Sequence, residues 1–96
     1  MDAESQIGRN FMYRSFDVWV YEQEGVVARY RCFEILQTGK FCVQSKDIYR
    51  EPVKSSLTSQ LDLQFLELLT EERPDVRSGT FDSIAAAIRA HDESFL

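Results

Sequence analysis

Three short apolar runs separated by two glycine-containing breaks constrain this chain more than any other feature. The runs lie within residues 16–47, and the breaks are Gln23-Glu24-Gly25 and Thr38-Gly39. The first run alternates, and β-branched and aromatic side chains dominate it, which is typical of a strand with one buried face. Short loops that contain glycine join antiparallel neighbours. The pattern therefore predicts a three-stranded antiparallel β-meander.

The first break also predicts the pairing of the first two strands. A three-residue loop with Gly25 in the left-handed position is a favoured hairpin closure, and it leaves Glu22 opposite Val26. One face of the hairpin then carries only apolar pairs, as a buried face requires: Phe16–Cys32, Val18–Tyr30 and Val20–Ala28. The other face pairs Asp17 with Arg31 and Trp19 with Arg29.

The two cysteines are predicted to be free thiols. If Thr38-Gly39 is a two-residue turn, Ile35 lies opposite Cys42 and Phe33 lies opposite Gln44. Cys32 and Cys42 then project from opposite faces of the sheet, where they cannot form a disulfide. Cys32 and Cys42 also lack the spacing of a zinc site, and the chain has a single histidine, His91.

Two helices are predicted after the meander. Apolar residues recur at helical spacing within residues 57–73, and Pro74 ends that pattern. A second stripe covers residues 81–94, with Phe81, Ile84, Ala85 and Ile88 on one face. We expect one α+β domain over residues 1–96, with both helices packed on one face of the sheet. Residues 1–14 remain unassigned.

Charge and hydropathy exclude several classes of protein. The chain has a net charge of −5; residues 1–54 hold 8 basic and 8 acidic residues, and residues 55–96 hold 3 and 8. An acidic surface repels phosphate backbones, so nucleic acid is not an expected partner. No apolar run approaches the roughly 20 residues of a membrane span. The polar, acidic N-terminus is not a secretory signal, so we expect a cytoplasmic location.

No catalytic, metal or cofactor site is predicted. The four glycines are isolated, so the chain has no glycine-rich phosphate loop. A thiol nucleophile needs a base within hydrogen-bond reach, and nothing in the sequence links Cys42 to His91. The carboxylate pairs fall at helix ends and in a loop, where solvent is expected to keep them ionised.

The second face of the predicted sheet is the candidate binding site. If both helices cover the other face, this face is open, and it is both aromatic and cationic. Its candidate binding residues are Trp19, Tyr21, Arg29, Arg31 and Phe33. Such side chains dominate binding hot spots, and open apolar surface marks a partner site. The N-terminal segment or a second copy of the chain are the alternative covers for this face.

The leading hypothesis is a non-catalytic binding module that associates with itself as a homodimer, or that binds another protein or a small ligand. The first alternative is an acidic inhibitor or immunity-type protein that meets a basic partner through charge; its acids would be Asp62, Glu67, Glu71, Glu72 and Asp75. The second alternative is a small thiol-dependent enzyme that uses Cys42.

Two segments carry a resemblance to known proteins. Residues 30–45, from Tyr30 to Ser45, and residues 81–88, from Phe81 to Ile88, resemble small bacterial sheet-plus-helix proteins without an assigned activity, some of them carried on mobile gene cassettes. The Phe-Asp-x-x-x-x-Ala pattern that begins at Phe81 is similar to strand-to-helix junctions of small sheet-plus-helix domains. The resemblance implies the fold class and a bacterial cytoplasmic setting, and it implies no activity and no site residues.

Overall fold

Three antiparallel strands form the sheet. The computed structural model describes residues 10–96, so most of the unassigned N-terminal segment lies outside the described residues. Strand β1 spans Tyr13–Gln23, β2 spans Val26–Ile35 and β3 spans Lys40–Arg50, in the spatial order β1-β2-β3. The predicted meander is confirmed, with β1 and β3 longer than the apolar runs alone indicate.

Three helices follow the sheet: α1 over Ser55–Glu71, α2 over Pro74–Ser78 and α3 over Ile84–Glu93. The short α2 occupies the segment predicted as a polar link, and Pro74 begins it because proline suits the first helical turn. The Ser83 side chain caps α3 by accepting a hydrogen bond from the Ala86 N–H. Helices after an antiparallel sheet confirm the α+β class.

The pairing of β1 with β2 confirms the predicted register along most of the hairpin. Phe16 lies opposite Cys32, and Val20 lies opposite Ala28. The prediction is wrong at the turn, where Gln23 instead of Glu22 lies opposite Val26. A bulge between Tyr21 and Gln23 takes up one residue, so the turn shortens to Glu24-Gly25. Gly25 has a φ of 76°, which supports its predicted left-handed position.

The pairing of β2 with β3 differs from the prediction by two residues. The turn spans residues 36–39, so Phe33 lies opposite Cys42 instead of Gln44. Near the turn, this offset of two keeps Phe33 and Cys42 on their predicted face, because the side-chain period of a strand is two. A bulge between Arg31 and Cys32 reduces the offset to one along the rest of the two strands. Cys32 and Cys42 therefore lie on opposite faces, and both are buried free thiols.

The helices do not share one face of the sheet, which corrects the expected packing. Helix α1 covers Phe33, Ile35 and Cys42 with Phe65 and Leu69. Helix α3 covers the opposite face, where Ala87 packs in one cluster with buried residues of β2 and β3: Tyr30, Cys32 and Val43. The central strand β2 is buried along most of both faces, so each face needs a helix.

Candidate functional site

Helix α1 covers part of the predicted binding surface. Phe33 is 2% exposed, and its ring stacks on that of Phe65 with centroids 5.7 Å apart. Arg31 is 4% exposed, and its guanidinium lies 4.9 Å from the centre of the same Phe65 ring. Neither side chain can reach a partner that docks on the folded chain. These two residues therefore belong to the core beneath α1.

Arg31 of β2 contacts two carboxylates, that of Asp47 on the neighbouring strand β3 and that of Asp62 on α1. Its Nε lies 2.8 Å from Asp47 Oδ2, and its Nη2 lies 2.7 Å from Asp62 Oδ1. Burial opposes the charge of Arg31, but its hydrogen bonds to Asp47 and Asp62 outweigh burial and raise its pKa above the ordinary value. The side chains of Arg31 and Asp47 are 5% and 7% exposed, so each buried charge is compensated by the opposite charge of the other.

The accessible part of the predicted surface lies along β1. Trp19 is 56% exposed and Tyr21 is 86% exposed. Arg29, half-buried on β2, lies 5.2 Å from the centre of the Trp19 ring and 2.9 Å from Asp17 Oδ2. These contacts orient Trp19 on the α1 face of the sheet, beyond the part that the helix covers. Of the five predicted residues, the structure thus brings Trp19, Tyr21 and Arg29 to an accessible surface.

The outer edge of β1 carries unpaired backbone groups. The Leu36 N–H donates to the Met12 carbonyl at 2.9 Å, so the even-numbered residues of β1 direct their backbone groups toward β2. The N–H and C=O groups of Ser15, Asp17, Trp19 and Tyr21 therefore point away from the sheet. No strand within residues 10–96 pairs with this edge.

The opposite edge of the sheet is partly covered. Phe41 of β3 exchanges two backbone hydrogen bonds with Phe81, at 2.8 and 2.9 Å. Further along, residues 44–47 of β3 lie in a cleft of about 570 Å³. Helices α1 and α3 form its walls, with Leu61 and Leu68 on one side and Phe95 on the other. The outer edge of β3 is therefore partly occupied, whereas the outer edge of β1 has no strand partner within residues 10–96.

This cleft has the size of a small-molecule site, but its unpaired polar atoms are hidden. Gln44 Oε1 and His91 Nδ1 both line it without a hydrogen-bond partner, and both have almost no accessible area. Burial lowers the pKa of His91, which favours a neutral ring. A ligand in the cleft would have to displace neighbouring side chains before it could bind either atom.

The two thiols lack the properties of nucleophiles. Burial raises the pKa of Cys42 to about 11 and that of Cys32 to about 12. The thiolate is the reactive form, so both groups are almost entirely protonated near neutral pH. His91 packs on the far side of the sheet from Cys42, against Tyr30 and Phe95. His91 is therefore not placed to act as a base for a Cys42 nucleophile.

Most acids of the alternative charged site have partners within the chain. Asp62 pairs with Arg31, and Asp75 pairs with Arg73 at 2.9 Å. Glu71 and Glu72 lie 3.6 and 3.8 Å from Arg77 Nη2. Internal partners reduce the field that these carboxylates present to a basic protein. The geometry therefore favours the β1 surface over the acidic one.

Comparisons with known proteins give no relative. No protein-family model, curated protein or solved structure matches the chain. Within residues 10–96, no helix is long and apolar enough to cross a membrane. Over the same residues, no group of three His, Cys, Asp or Glu side chains is arranged to hold a metal ion.

Sequence reasoning missed the edge of β1 because it placed the site on a face. The signals were present: β1 is the first strand of a meander, and a meander leaves its first strand unpaired on one side. Asp47 and Asp62 were not predicted as partners of Arg31, because a charged residue among aromatic residues on an open sheet face is expected to be exposed to solvent. Asp47 lies on a strand and Asp62 on a helix, and these positions alone do not indicate that both carboxylates contact one guanidinium.

Proposed function

We propose that the protein is a non-catalytic protein-interaction module that binds a second copy of itself through the outer edge of β1. One observation carries the proposal: β1 is an 11-residue edge strand whose outward backbone groups have no strand partner within residues 10–96. Three consecutive apolar side chains, Trp19, Val20 and Tyr21, are exposed along it. Unpaired edges of this kind are templates for pairing with another chain.

The residues of β1 support this proposal, because they lack common devices that prevent edge pairing. Natural edge strands are blunted by lysine, by proline or by shortness. Strand β1 contains no lysine and no proline, and it is longer than the typical strand of five to six residues. Its one irregularity, the bulge near Glu22, lies at the turn end and leaves Tyr13–Tyr21 regular.

The cleft beside β3 is a weaker candidate for the site. A partner at β1 needs no rearrangement, because the backbone groups and the Trp19 and Tyr21 side chains are already accessible. A ligand in the cleft gains the Gln44 and His91 hydrogen bonds only after the cleft opens.

A bacterial cytoplasmic setting remains a prediction from the sequence and its resemblance.

Replacing Ser15 by proline is expected to convert a dimer into a monomer. The Ser15 N–H points outward, so proline removes a hydrogen bond between two copies and places its ring where the second strand would lie. Proline is tolerated in an edge strand when its nitrogen faces outward, so the fold is expected to survive. Size-exclusion chromatography with light scattering, in reducing buffer over a concentration series, measures the molar mass.

The matched control is Ser15→Ala, which shortens the same exposed side chain but keeps the N–H. We expect Ser15→Ala to remain dimeric at the concentrations at which Ser15→Pro is monomeric. Circular dichroism of both variants checks that the sheet is intact. A wild-type chain that stays monomeric up to the highest concentration, or a Ser15→Pro dimer as tight as wild type, would overturn the proposal.

A further inference from the structure

We infer that two copies of the chain pair antiparallel about a two-fold axis at Val18, an inference that rests on the proposed function. The outward backbone groups belong to the odd-numbered residues of β1. A symmetric antiparallel pair must therefore set odd residues opposite odd residues, which requires the axis to pass through a residue position. This condition limits the possible registers to axes at single residues of β1.

The length of the strand selects among these registers. Strand β1 runs from Tyr13 to Gln23, and Val18 is its midpoint. An axis at Val18 pairs the whole strand, with Tyr13 opposite Gln23 of the second copy at each end. Moving the axis by one residue leaves two positions of each strand without a partner inside the other strand. Over the whole length of β1, the Val18 register therefore leaves the fewest positions unpaired, and only the Asp17 register competes with it over the regular part, Tyr13–Tyr21.

Charge selects the same register. With the axis at Val18, Arg14 of each copy lies opposite Glu22 of the other, so two ion pairs form. An axis at Asp17 instead sets Asp17 opposite its own copy, and directly opposed like charges are destabilising. An axis at Trp19 sets Phe16 opposite Glu22, an apolar ring against a carboxylate. Of the three, only the Val18 register pairs opposite charges across the strands and brings no like charges together.

Arg14 and Glu22 also lie on the same face of the sheet. Arg14 Nε is 3.8 Å from Glu34 Oε1, and Glu22 Oε1 is 3.1 Å from Lys46 Nζ. Lys46 packs over the Tyr30 ring, on the face that α3 covers. The Arg14 side chain is 69% exposed there and the Glu22 side chain 37%. Their opposite charges can therefore meet across the pairing.

The apolar residues of β1 continue this match on the α3 face. On the α3 face, the Val18 side chains of the two copies meet at the axis, and Phe16 lies opposite Val20. On the α1 face, Trp19 lies opposite Asp17 of the second copy, and Tyr21 lies opposite Ser15. The two sheets join into one six-stranded antiparallel sheet. The two-fold axis is perpendicular to that sheet, so both α1 helices lie on one side and both α3 helices on the other.

The test exchanges the charges of the proposed pair. Arg14→Glu alone, or Glu22→Arg alone, turns two attractive pairs per dimer into two repulsive ones. Each single variant is expected to self-associate about tenfold more weakly than wild type. An equimolar mixture of the two is expected to form heterodimers, in which both cross-strand pairs are again Glu opposite Arg. Native mass spectrometry separates the three dimers by mass.

Two further variants distinguish a weaker dimer from a loss of folding or a general effect of net charge. The double variant Arg14→Glu/Glu22→Arg restores opposite charges within one chain and is expected to dimerise like wild type. Arg89→Glu on the exposed side of α3 makes the same change in net charge as Arg14→Glu at a residue outside β1, and it is expected to leave dimerisation unchanged. Circular dichroism and thermal unfolding of each single variant measure any loss of the intrachain pairs to Glu34 and Lys46.

The outcomes separate the register from the proposed function. Preferred heterodimers and a dimeric double variant support the Val18 register. Single variants that dimerise as tightly as wild type, with a statistical mixture of dimers, overturn the register while Ser15→Pro still tests edge pairing. A monomeric wild-type chain overturns both and assigns the edge of β1 to another occupant, such as residues 1–9 or a different protein.

Discussion

Replacing Arg31 by leucine is expected to lower the free energy of unfolding by about 3–5 kcal/mol, the usual cost of breaking a buried ion pair from one side. The side chain of Asp47 is 7% exposed, and its carboxylate lies 2.8 Å from Arg31 Nε. Without the guanidinium, the Asp47 carboxylate lacks its charged partner in a poorly solvated site. The variant also removes the shorter of two contacts between the sheet and Asp62 of α1, at 2.7 Å, and leaves the one from Arg29 at 3.7 Å.

A double-mutant cycle in urea denaturation distinguishes this charge effect from a loss of packing. Replacing both Arg31 and Asp47 by leucine is expected to recover most of the lost stability, because apolar pairs often substitute for buried ion pairs at little net cost. A double variant whose loss equals the sum of the two single losses would contradict the proposed dependence of Asp47 on Arg31.

Truncating Phe65 to alanine is expected to cost about 3 kcal/mol, at the lower end of the range for buried aromatic residues because Phe65 is only partly buried. The ring stacks on Phe33 at an interplanar angle of 6° and also lies beneath the Arg31 guanidinium. It is the only aromatic residue of α1, so its loss exposes Phe33 and loosens the helix on the sheet.

The matched control on the same helix is Leu66→Ala. Leu66 is 54% exposed, and truncating it is expected to change the free energy of unfolding by about 0.5 kcal/mol or less. Both variants can be compared by urea denaturation, with tryptophan fluorescence as a second probe. Equal losses for Phe65→Ala and Leu66→Ala would show that α1 contributes little packing to this face of the sheet.

Local sequence patterns predicted most of the sheet. Alternation and the position of Gly25 were sufficient to pair Val18 with Tyr30 and Trp19 with Arg29, because a slip of one residue would expose the apolar face. The second turn was less informative. Its four residues differ from the predicted two, and the resulting offset moved Cys42 from Ile35 to Phe33 without changing its face.

The placement of the helices could not be read from the same patterns. The amphipathic stripe of α1 indicates that the helix packs on a sheet, but both faces of β2 carry apolar residues, so the stripe does not select one. The guanidinium of Arg31 indicated that its face of the sheet is open, since this group is usually exposed. That prediction is wrong, because α1 covers Arg31. Its charge is satisfied by Asp47 and Asp62, which come from β3 and α1 and meet it only in the folded chain.

The candidate site moved from a face to an edge for a related reason. Trp19 and Tyr21 were predicted as binding residues from their exposure on the sheet, and they remain exposed. The strand order β1-β2-β3 adds what composition cannot show: their backbone groups lie at an unpaired edge. The interaction surface is therefore defined by backbone direction as much as by aromatic side chains.

Amide hydrogen exchange, followed by NMR at low and at high protein concentration, tests the pairing of β1 most directly. The account predicts that the N–H groups of Ser15, Asp17, Trp19 and Tyr21 exchange rapidly in the monomer and slowly once the dimer forms. The N–H groups of Val18 and Val20, which point toward β2, should exchange slowly at both concentrations. Rapid exchange of the four outward groups at every concentration would contradict self-association through β1.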